Sequence, residues 1–80
     1  VMVDQEIVKA IAKRIFKIKA IKLEDSKVYN EYSVIIFYMN DDSDILICDT
    51  SEEANGIYNY LKEKINEYNG VKKPEGEKSF

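Results

Sequence analysis

Ser33-Val34-Ile35-Ile36-Phe37-Tyr38-Met39 decides the fold of this chain. β-Branched and aromatic residues fill the stretch, and the polar cluster Asn40-Asp41-Asp42-Ser43-Asp44 bounds it. It therefore reads as a strand entering a turn. Ile45-Leu46-Ile47-Cys48 returns as the next strand, which predicts a hairpin with a loop of about four or five residues. Alternation along the first strand points Val34, Ile36 and Tyr38 one way and Ile35, Phe37 and Met39 the other, so both of its faces are apolar. Ile45 and Ile47 oppose Leu46 and Cys48 in the same manner. A sheet with one wet face alternates apolar with polar residues, whereas a strand apolar on both faces is normally covered on both.

Upstream, Ile21 and Leu23 alternate with Lys22 and Glu24, predicting a short strand over Ala20 to Glu24. Asp25-Ser26-Lys27 reads as a turn, and Val28 to Glu31 is ambiguous between turn and extended chain. Earlier still, Asp4 is a good N-cap. Ile7, Ile11, Ile15 and Ile18 recur after it at helical spacing, with Val8, Ala12 and Phe16 beside them. A helix is expected over Asp4 to Ile18, with Lys9, Lys13 and Lys17 as an i, i+4 row on another face. Downstream, Thr50-Ser51-Glu52-Glu53 is a capping box that opens a second helix. Ala54, Ile57, Tyr58, Leu61, Ile65 and Tyr68 carry its apolar side up to a stop at Asn69-Gly70. Gly56 within it either allows close approach to the sheet or is simply tolerated.

The expected architecture is a two-layer α+β domain, helix–three-stranded antiparallel meander–helix (αβββα), over residues 1–70. A polar, flexible C-terminal tail is expected over residues 71–80, which hold Pro74 and Gly76. Two arrangements would hide the apolar surplus of the hairpin. One helix can cover each face, or both helices can share one face while the other meets a second copy. The second is the expectation here. It makes Ile35, Phe37, Met39, Leu46 and Tyr60 the candidate interface, with a homodimer or another protein as partner. Six tyrosines, a residue type enriched at interfaces, point the same way.

Composition narrows the chemistry. Histidine and tryptophan are absent, and cysteine and proline occur once each. A zinc site lacks ligands. A calcium loop opening at Asp42 fills later positions with Asp44 and Glu53, yet places Leu46 and Ile47 where a ligand and an obligatory glycine belong. Cys48 has no histidine to activate it and an acid as neighbour, so it reads as a small buried hydrophobe. The isolated glycines make no phosphate loop. The sequence thus predicts a non-enzymatic protein with no cofactor, metal or catalytic residues. It contains no apolar run of the ~18 residues needed to span a membrane and no signal-peptide layout, so a soluble, cytoplasmic location is expected.

Charge is distributed unevenly. Up to Lys22 there are six basic residues against Asp4 and Glu6, whereas Leu23 to Gly70 holds three lysines against eleven acids. Lys9, Lys13, Arg14 and Lys17 are candidate nucleic-acid contacts, with Tyr29, Tyr32 and Tyr38 available for stacking. The pI of about 4.9 and the single arginine weigh against that reading. Asp41, Asp42 and Asp44 are the candidate face of the converse, an acidic mimic of nucleic acid of the mobile-element type. The primary expectation is a small regulatory or adaptor-like protein–protein interaction module that self-associates. A nucleic-acid role, by binding or mimicry, is the alternative.

Overall fold

β2 (Glu31–Tyr38) is the middle strand of a three-stranded antiparallel sheet, flanked by β1 (Ile18–Ser26) and β3 (Ser43–Cys48) in the order β1-β2-β3. The computed structural model describes residues 3–72. Within them, α1 (Gln5–Lys13) and a 3-10 turn (Ile15–Lys17) precede the sheet, and α2 (Ser51–Lys72) follows it. This is the helix–meander–helix order that the sequence predicts.

One face of the sheet is closed by both helices. Val34, Ile36, Tyr38, Leu46 and Cys48 from the sheet share a single core with Val8 and Ile11 of α1 and Ala54, Ile57 and Leu61 of α2. Ile11, Val34, Ile36 and Leu61 are the largest of the fully buried side chains. The pairing register shows why these residues meet. Leu23 lies opposite Val34 and Val34 opposite Leu46, so one transverse row crosses all three strands on the covered side. Leu46 was expected among the interface residues, but the register turns it inward. Ile45 and Ile47 stand on the open side, because side chains alternate with a period of two.

Element boundaries shift where tertiary pairing overrides local preference. α1 stops at Lys13 instead of continuing to Ile18. Ile18 is drawn into pairing with Tyr38, and the Met39 N–H donates to the Lys17 carbonyl at 2.9 Å, so the chain must leave the helix early. Of the expected stripe, Val8, Ile11 and Ile18 reach the core, while Ile7 and Phe16 are left exposed. β1 runs longer than expected, to Ser26, and pairs through Ser26–Glu31. The turn between β1 and β2 therefore falls on residues 27–30. Asn30 adopts φ 52° there and Asp41 φ 70° in the next turn, a left-handed conformation those residues tolerate.

α2 opens with one bond of the expected capping box in place, while Glu53 reaches past the cap to the amide before it. The Glu53 N–H donates to Thr50 Oγ1 at 3.1 Å, and Glu53 Oε1 reaches back to accept from the Asp49 N–H at 3.0 Å. Its other oxygen accepts from the Val3 N–H at 2.9 Å, tying the start of the chain to the start of α2. The helix passes the expected stop at Asn69-Gly70 and reaches Lys72, because no described glycine adopts the positive φ of a helix-ending cap. Residues 73–80 of the expected tail lie outside the described residues.

Candidate functional site

The sheet's second face is bare. Ile45 is 60% exposed, Ile47 74%, Phe37 39% and Met39 67%, and Ile35 is partly buried beside them. β2 and β3 position this patch together. Ile35 pairs with Ile45, Ser33 with Ile47 and Phe37 with Ser43, so the apolar side chains form a block across two neighbouring strands. β1 borders the block with a polar strip, where Lys22 Nζ lies 3.0 Å from Glu24 Oε1 on the same face. Singly exposed apolar residues are ordinary; here they are contiguous across two strands and bordered by charge.

Of the residues expected at an interface, Ile35, Phe37 and Met39 therefore lie together. Tyr60 belongs to the helical layer on the other side of the sheet, 38% exposed and beneath the Lys64 ammonium at 5.5 Å. Ile45 and Ile47 were missed as members of the patch. The available signal was the odd-numbered alternation they share across the turn with Ile35 and Phe37. It becomes decisive only once the turn length sets the register.

The basic and acidic sets form no two separate faces. Arg14 and Lys17 come off the end of α1 and its 3-10 turn into a cleft of about 220 Å³, lined also by Tyr38, Asn40, Asp42, Ser43 and Asp44. The Arg14 guanidinium lies 5.8 Å from the centroid of the Tyr38 ring. The Tyr38 hydroxyl donates to Asp44 Oδ2 at 2.7 Å. Burial, then that hydrogen bond and the Asp44 charge, pushes the Tyr38 phenol from its ordinary value of 10.0 up to about 12, with Arg14 acting in the opposite sense. Asp42 is engaged within its turn, accepting from Asn40 Nδ2 at 2.9 Å, and Asp41 is exposed at the tip. Lys9 and Lys13 stay exposed on α1. The expected row with Lys17 is broken, because the helix ends at Lys13 before that residue.

Tyr38 is buried and Tyr32 is half-buried; Tyr29 is exposed on the β1–β2 turn. Cys48 is buried, and burial, followed by the Glu53 and Asp49 carboxylates, pushes its thiol up from the ordinary value. Such a thiol stays protonated near neutrality and is a weak nucleophile. Among the described residues, no three Asp, Glu or Cys side chains converge as metal ligands would. No described helix is long and apolar enough to cross a membrane. Compared with protein-family models, curated proteins and solved structures, the chain gives no significant match to any of them.

Proposed function

We propose that this chain is a small non-enzymatic interaction module that self-associates through the open face of its sheet, in a regulatory or adaptor-like role. The observation that carries the reading is the bare block of Phe37, Ile45 and Ile47 on a strand pair whose other face already holds the core. Burying such side chains contributes about 25 cal/mol per Å² removed from water, so leaving them wet forgoes a large share of a small domain's stabilisation. A domain of this size has a thin core and gains stability by association. The absence of histidine and the buried, unactivated Cys48 support a binding role over a catalytic one.

The test is mass against concentration by light scattering. The native chain should rise from 9.3 kDa towards twice that mass with increasing concentration. Ile47→Lys should remain at the lower mass, because a lysine there must be desolvated on contact. A native chain that stays monomeric at millimolar concentration contradicts the reading.

A further inference from the structure

The open face carries its own symmetry, and the proposal drawn from it rests on the self-association reading above. Leu23, Val34 and Leu46 form a transverse row across β1, β2 and β3. Each flanking pair on the open side is arranged about that row. In β1 it separates Lys22 from Glu24, in β2 Ser33 from Ile35, and in β3 Ile45 from Ile47. The geometry points to a face-to-face dimer whose two-fold axis lies along this row, stacking each strand on its counterpart in reverse direction.

About such an axis, position 22 of one copy falls over position 24 of the other, and position 45 over position 47. Lys22 meets Glu24 of the second copy on one side, and Glu24 meets the other Lys22 reciprocally. Ile45 and Ile47 of β3 meet Ile47 and Ile45 of the second copy, while in β2 Ile35 falls over Ser33 and Phe37 over Glu31 at the strand's exposed end. The face is therefore complementary to itself in charge along β1 and in apolarity along β3, as an isologous contact requires. Sheets stacked in this way pack about 10 Å apart with strands crossing near 30°. That arrangement leaves the β1 charges at the rim, where polar residues belong.

The other route to a dimer is disfavoured by charge. Antiparallel pairing of two β3 edges about Leu46 would set Asp49 of one chain beside Ser43 of the other, gathering Asp42 and Asp44 of one chain and Asp49 of its mate at each end. Like charges brought opposite one another oppose strand pairing. A heterologous stack of β1 over β3 would seat the Lys22–Glu24 pair on Ile45 and Ile47, desolvating charge against hydrocarbon.

Charge reversal with mixing tests the axis. Lys22 and Glu24 side chains are 60% and 48% exposed, so neither reversal threatens the fold, and a thermal melt of each variant verifies it. Lys22→Glu alone places acid over acid at both rim contacts, and Glu24→Lys alone places base over base. Each variant should dimerise about tenfold or more weakly than the native chain. An equal mixture of the two restores opposite charges at both contacts. It should form a one-to-one dimer tighter than either variant alone, weakening as salt is added. Single variants that dimerise like the native chain, or a mixture no tighter than its components, overturn the axis. Self-association through the open face still stands in that case if Ile47→Lys abolishes the native dimer. A native chain that never dimerises defeats both.

Discussion

Tyr38 is both a core residue and a hydrogen-bonding one. Its ring is core, its hydroxyl binds Asp44, and Arg14 lies over it. A phenol whose folded value is raised favours the protonated form in the fold. Its contribution to stability is therefore complete below about pH 10 and is lost as pH rises towards 12. Absorbance titration should show Tyr38 ionising late. Tyr38→Phe should remove the late step and flatten the fall in melting temperature over that window. Retention of the late step in the variant contradicts the assignment. Gly56 is simpler. It is exposed in mid-helix, and a methyl placed there meets no atom within 4 Å, so close approach to the sheet is not its reason. Gly56→Ala should raise stability to unfolding by about 1 kcal/mol, read by urea titration. A loss of stability would reveal a contact the fold does not show.

Among the elements, those with strong local signals are legible in the sequence alone. β2 follows from a run of branched and aromatic residues, and the start of α2 from Thr50, whose hydroxyl caps the Glu53 amide as the spacing implies, although Glu53 itself bonds the Asp49 amide one residue before the cap. The end of α1 was not legible. The apolar spacing continues through Ile15 and Ile18, yet those residues are claimed by the 3-10 turn and by pairing with β2. Periodicity cannot report a competing long-range hydrogen bond such as that between Met39 and Lys17. Gly70 misled for the opposite reason. A glycine ends a helix only where it takes the left-handed conformation, and elsewhere it merely costs about 1 kcal/mol. The apolar face of the candidate site was half legible. Ile35, Phe37 and Met39 follow from alternation within one strand, while the choice between Leu46 and its neighbours Ile45 and Ile47 depends on a turn that shifts every side chain when it changes by one residue.

At the scale of the whole molecule, the two layers explain why the middle strand is apolar on both sides. One side is core and the other is open, the side on which the proposed self-association would act. The charge asymmetry of the sequence also changes meaning on folding. Arg14 and Lys17 approach Asp42 and Asp44 across one cleft, so part of the polarity is spent within the molecule. The Lys22–Glu24 strip lies beside the apolar block. The central claim is that molecules meet through the open sheet face. Its most direct test is a dilution series followed by amide NMR on the labelled native chain. The account predicts that resonances of Ile35, Phe37, Ile45 and Ile47, with Lys22 and Glu24 at the rim, move together with concentration while those of Lys9, Lys13 and Tyr60 hold still. Spectra unchanged across the series, or shifts confined to the helical layer, would contradict it.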